Sequence, residues 1–208
     1  MRLHLFFSIL FVWFVSTAGM GADEAADLLK LIQSPEAADV DRANAFEKIG
    51  DIADDSAVAT LAGFLGDKTW SHYARFALQK MEGEEATNAL IDSLDALEGE
   101  LKLGVIGTIG RRRDAIAVAP LAELLANADA TTADSAAVAL GWIGTQDAAV
   151  ALGEALAAEK DSDRRESLGD ALLLAGQRLA KTGNAEAAIG IFDLLRSANL
   201  PKPCRIGA

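Results

Sequence analysis

Cysteine is almost missing from this sequence: Cys204 is the one thiol in 208 residues, and His4 and His72 are the two histidines. That inventory excludes an internal disulfide, a cysteine/histidine metal cluster and a haem-attachment motif. Aromatic residues make up 6% of the chain and proline occurs four times. Basic side chains are outnumbered, 19 against 31 acidic, for a formal net charge of −12. Such a body repels nucleic acid and anionic membrane in aggregate, and it attracts basic partners. β-Branched residues are sparse beside the 42 alanines and 28 leucines that fill the chain. Alanine and leucine are the strongest helix formers, so the composition predicts an all-α protein rather than a sandwich, a barrel or a disordered tail.

The first 22 residues read as a signal peptide rather than as part of the fold. Arg2 supplies a short positive region, Leu5 to Val15 is a nearly unbroken apolar run, and Ser16, Thr17, Ala18, Gly19, Gly21 and Ala22 are small. That order marks export. Cleavage after Ala18 and cleavage after Gly21 both satisfy the small-x-small pattern, and both stay open. The apolar run falls short of the roughly 20 residues that a bilayer crossing needs, so cleavage is expected and not a retained anchor. Loss of the segment removes Arg2 and no acid, taking the net charge from −12 to −13. An exported domain with one cysteine must hold itself together by helix packing alone.

An internal repeat is the main organising feature. Ile49-Gly50, Ile109-Gly110, Ile143-Gly144 and Ala175-Gly176 each close an apolar-periodic stretch, with glycines 60, 34 and 32 residues apart. Met81-Glu82 occupies the matching position inside the first gap, so the period is a little over thirty. Glycine suits the left-handed position just past a helix, and these four are expected there. The second helix of each unit carries a leucine stripe: Leu61, Phe64 and Leu65; Leu90, Leu94 and Leu97; Leu121, Leu124 and Leu125; Leu152 and Leu156. Those spacings put the leucines on one side of a helix. First helices are smaller, as in Ala133, Ala136, Ala137 and Leu140. A two-helix unit cannot bury its own stripe, so units must stack. The prediction is a right-handed α-solenoid of about five helical hairpins over residues 23–208, after a short leading helix at about Asp23 to Gln33.

The segments Asp41-Arg42-Ala43-Asn44-Ala45-Phe46-Glu47-Lys48-Ile49-Gly50 and Ala136-Ala137-Val138-Ala139-Leu140-Gly141-Trp142-Ile143-Gly144 resemble HEAT-like repeats of the phycobilin-lyase type, with Ser71 to Met81 a looser copy. The resemblance spans roughly residues 39 to 160. It implies short two-helix repeats that serve mostly as protein-interaction scaffolds, with a minority acting as chromophore lyases. The last unit, 164–200, departs from that pattern. Gly176, Gly183, Ala188 and Phe192 stand at tetratricopeptide-like intervals of 7, 5 and 4, although a longer HEAT-like hairpin accounts for them better. Residues 201–208 read as the start of an incomplete repeat, because Arg205 and Ala208 reproduce the spacing of Arg42 and Ala45. The expectation is a fragment of a longer exported protein.

Few side chains stand out as chemistry. Arg111-Arg112-Arg113 is the one basic cluster, directly before Asp114, a candidate N-cap. A solvated turn whose cations complement a helix end is the expected role; an edge that docks an anionic group is the alternative. Trp70, His72, Tyr73 and Phe76 crowd the start of one helix, with Tyr73 and Phe76 at ordinary core spacing. Trp142 is expected to pack, and Cys204 to be an idle thiol. Asp54-Asp55, Glu84-Glu85 and Asp161-x-Asp163 lie at turns or helix starts, where acids favour the helix dipole. No catalytic, cofactor-binding or metal-binding residue is therefore assigned. The expected function is a non-enzymatic, exported, periplasmic or extracellular scaffold that binds a protein partner, a basic one being favoured by the acidic charge. Nucleic-acid binding and stable membrane insertion are not expected. A bilin lyase-like enzyme, or a chaperone-type accessory domain of a larger exported protein, is the alternative.

Overall fold

The computed structural model describes residues 17–198 and Leu200, with the backbone alone for 17–22. The apolar run of the expected signal peptide, and Cys204 with the rest of 201–208, lie outside the described residues. Among the described residues there are eleven α-helices and no strand. A leading helix, α1 (Thr17–Gln33), is followed by five hairpins. They are α2 (Asp39–Ile52) with α3 (Val58–Ala62), α4 (Ser71–Lys80) with α5 (Glu85–Asp92), and α6 (Gly99–Arg112) with α7 (Val118–Asn127). The last two are α8 (Ala130–Ile143) with α9 (Gln146–Ala158), and α10 (Ser162–Lys181) with α11 (Ala185–Ser197). Helix α1 starts earlier than the sequence reading placed it, so both expected cleavage positions fall within its first turns.

The hairpins stack in two layers. In the first, α2 packs on α4, α4 on α6, α6 on α8 and α8 on α10; in the second, α3 packs on α5 and α7 on α9. The core lies between them. Leu61, Leu65, Leu90, Leu94, Leu121, Leu125, Leu152 and Leu156 are all buried from the second layer, and Ala136, Ala137 and Leu140 from the first. Burying a leucine contributes roughly 1.5–3 kcal/mol, and each stripe finds its cover only on a neighbouring helix.

The repeat glycines do something other than end helices. Gly50, Gly110 and Gly176 lie inside α2, α6 and α10, and each is buried. A Cβ on Gly50 would stand 2.8 Å from the Ala77 carbonyl oxygen and 2.9 Å from its Cα. One on Gly110 would stand 2.7 Å from Ala139 Cα, and one on Gly141 would stand 2.7 Å from the Ala171 carbonyl oxygen. Of the four expected caps only Gly144 has a left-handed backbone, at φ 61°. Its counterpart in α6 is Arg113, at φ 64°. Gly110 thus corresponds to Gly141, and Gly144 to Arg113. The sequence reading slipped by three residues because either register puts an isoleucine or leucine before a glycine.

Candidate functional site

The arginine triplet is divided three ways by the end of α6. Arg112 turns inward, and its side chain is 4% exposed. Its Nη1 donates to the carbonyls of Leu78 (2.5 Å) and Met81 (2.6 Å), and its Nη2 to that of Gly83 (2.6 Å). Nε donates to Thr87 Oγ1 at 2.6 Å and to Asp114 Oδ2 at 3.1 Å. A helix leaves its last carbonyls without partners, and this guanidinium supplies them for α4 while pinning α5. The solvated-turn expectation therefore fails for Arg112. Asp114 differs too: it makes no side-chain cap, and instead accepts from Arg112 and from the Thr87 hydroxyl.

Two other arginines use the same device. Arg42 Nε donates to the Ile32 carbonyl at the end of α1, 2.6 Å away. Arg165 Nη1 donates to the Leu156 and Glu159 carbonyls at the end of α9, at 2.8 and 2.9 Å. In each case a first-layer helix closes the end of an earlier helix, which ties consecutive elements into one array.

The aromatic crowd is mostly core. Phe46 stacks on Trp70 and Tyr73 with ring centroids 5.8 and 6.1 Å apart, and meets Phe64 edge-on at 5.3 Å. The Arg42 guanidinium lies over Trp70 at 4.7 Å, a cation–π contact that strengthens as it is desolvated. Phe76 parts company with Tyr73. It is 47% exposed and lies under the Lys80 ammonium at 5.3 Å. His72 is exposed, with its ring against that of Tyr73.

Three acids cap helix starts, whereas Glu84, at the start of α5, makes no side-chain cap. Asp54 accepts from Ser56, Asp129 from Thr131 and Thr132, and Asp161 from Asp163 and Arg164. Hydrogen bonds from Ser56 hold the Asp54 carboxyl below its ordinary range, and those from Thr132 do so for Asp129. The backbone N–H groups of Asp161 and Lys160 lower Glu159 in the same way. Hydrogen bonding to the charged form has that direction. Among the described residues no three His, Cys, Asp or Glu side chains gather where they could hold a metal ion, and no helix is long and apolar enough to cross a membrane.

Two surfaces present exposed cationic or apolar side chains. On the first layer Arg111 reaches over the Trp142 ring at 5.2 Å, near the exposed Val138. On the second, α11 packs on α10 and leaves a groove of about 420 Å³ against α9, lined by Val150, Gly153, Ala187, Gly190, Ile191 and Leu194. Val150, Ile189 and Leu194 are 53%, 58% and 43% exposed. Sequence reasoning missed this groove, since Ile191 and Leu194 fit the apolar pattern of α11 as well as any core position.

Residues 87–173 match the family model of HEAT repeats. The match begins in α5, ends in α10 and covers under half of the chain, in agreement with the HEAT-like resemblance of the sequence over that stretch. No curated protein matches the sequence. HEAT-like hairpins stacked in two layers are what an α-solenoid is made of, and the fold of the described residues is of that kind.

Proposed function

We propose that this protein is an exported, non-enzymatic scaffold: a right-handed α-solenoid that binds a partner protein through its stacked helical faces. HEAT repeats commonly serve in this way, and fold alone does not decide function. The observation that carries the reading is the exposure of apolar side chains along both layers: Phe76 and Val138 on one, Val150, Ile189 and Leu194 on the other. Exposed apolar side chains on successive helices offer anchors for protein contact. The net charge of −12 speeds encounter with a partner whose general surface is basic. The last hairpin supports a tetratricopeptide-like unit, because Gly176 admits the Phe192 ring so closely that a Cβ would stand 2.8 Å from Cε1.

Capture on the immobilised full chain, from the exported fraction of the source cell, tests the scaffold reading. A partner that is retained saturably and displaced by free chain supports it; retention of nothing that free chain displaces contradicts it. N-terminal sequencing of the exported protein tests the compartment. A chain beginning at Gly19 or Ala22 is expected, and one beginning at Met1 contradicts cleavage.

A further inference from the structure

Four arginines of the first layer stand on α4, on α10 and at the end of α6, in a chain whose acids outnumber its bases. Arg75 of α4 lies flat on α6, where a Cβ at Gly104 would stand 2.7 Å from its Cζ. Its Nη1 donates to the Gly104 carbonyl at 3.1 Å, while its Nε is buried with no acceptor. Arg111 passes Gly107 and lies over Trp142. Arg178 of α10 runs its stem across Gly144, so that a Cβ there would be 2.7 to 2.9 Å from its Cβ, Cγ and Cδ. Arg113 completes the group from its left-handed turn.

The four act on one another in two pairs, Arg75 with Arg111 and Arg178 with Arg113. Burial, and then the charge of Arg111, make Arg75 easier to deprotonate than a free arginine; burial, and then Arg113, do the same to Arg178. Among the described residues, ion pairs of arginine within 4.0 Å belong to Arg112, Arg164 and Arg196, and none to these four. Gly104 lets the Arg75 guanidinium, and Gly144 the Arg178 stem, lie packed against the layer, so little side-chain freedom is left to lose on binding.

We propose that Arg75, Arg111, Arg113 and Arg178, with Arg111 over Trp142, bind a carboxylate-bearing segment of the partner protein. The proposal deepens the scaffold reading and rests on it. Arginine forks take carboxylate and phosphate alike. A nucleic acid, however, would run off four cations onto the acidic body, with repulsion that grows with its length. A short acidic segment ends where the cations end. Val138, one turn before Trp142 and 43% exposed, adds an apolar contact that suits a peptide side chain. The partner then meets the acidic field with a basic general surface, and the stripe with its acidic segment.

The test is fluorescence anisotropy of a labelled Glu-Glu-Leu-Glu-Glu peptide titrated with the full chain. Saturable binding is expected. It should weaken at least about tenfold in R111E/R113E and stay within about twofold in K68E/K160E, which reverses as many exposed charges elsewhere. R111Q/R113Q should fall between, and circular dichroism checks that each variant is folded. Equal weakening in the two charge-reversed variants would mean that net charge alone is read, and overturns the site. Tighter binding of inorganic phosphate or of a thymidine oligonucleotide than of the peptide overturns it too. No saturable binding at about 1 mM peptide, weaker than typical specific encounters, removes the stripe as well. The scaffold reading would then still stand or fall on capture of a partner.

Discussion

Gly110 of α6 faces Ala139 of α8 at a spacing that leaves no room for a side chain: a Cβ would lie 2.7 Å from Ala139 Cα and 2.9 Å from its Cβ. The same close approach joins Gly50 to Ala77 and Gly141 to Ala171. These contacts set the pitch at which hairpins stack, since the neighbours at Gly50 and Gly141 are backbone atoms of Ala77 and Ala171 that cannot swing aside. Gly110→Ala should therefore cost about 1–3 kcal/mol through overpacking. Gly190→Ala, in α11 where nothing lies within 4 Å, should stabilise by about 0.5–1 kcal/mol through helix propensity. Urea denaturation of the two variants checks both signs.

Arg112 is the second constraint on the stack, because it joins α6 to the end of α4 and the start of α5. Arg112→Lys keeps the charge and loses the planar fork, so the Leu78, Met81 and Gly83 carbonyls cannot all be reached. A loss of about 3 kcal/mol is expected, in the range for breaking a buried charged pair. Arg111→Lys, on an exposed neighbour, should change stability by under about 0.5 kcal/mol. Thermal melting of the pair distinguishes a clamp from a solvated cluster.

Much of this was legible in the sequence. The leucine stripes gave five hairpins because each stripe needs a partner helix, and the observed α2 to α11 pair off in that way. The three arginines were not separable, since identical neighbours on a chain carry no sign of which one points inward. That depends on where α4 ends, 31 residues before Arg112. Tyr73 and Phe76 share a spacing, yet Phe46 and Trp70 cover only the first.

Arg113 occupies a left-handed conformation that costs an L-residue about 1–2 kcal/mol. Arg113→Gly should stabilise the chain by about 0.5–1 kcal/mol after the entropy cost of glycine. The same variant should bind the acidic peptide more weakly. Gly144→Ala should move the other way, because its Cβ meets both the strained backbone and the Arg178 stem. Denaturation midpoints, read beside peptide anisotropy, separate folding from binding.

Asp54, Asp129 and Glu159 have carboxyls held below their ordinary range by hydrogen bonds to their charged forms. A depressed folded-state pKa adds stability that is present above the unfolded-state value and lost as pH falls through the folded one. The melting temperature should therefore decline on acidification through and below the ordinary carboxylate range. Asp129→Asn retains a cap that cannot titrate, so its melting temperature should fall less steeply over that range. Parallel melts of the two proteins from neutral pH downward check it.

Site-specific photocrosslinking measures the central claim, that helical faces of this array bind a protein. A photoreactive residue is placed singly at Phe76, Val138, Val150 and Ile189 of the full chain, in the source cell. The account predicts a discrete crosslinked product to one partner protein, strongest from Val138 on the arginine face. A folded chain that yields no product from any of the four positions would contradict it.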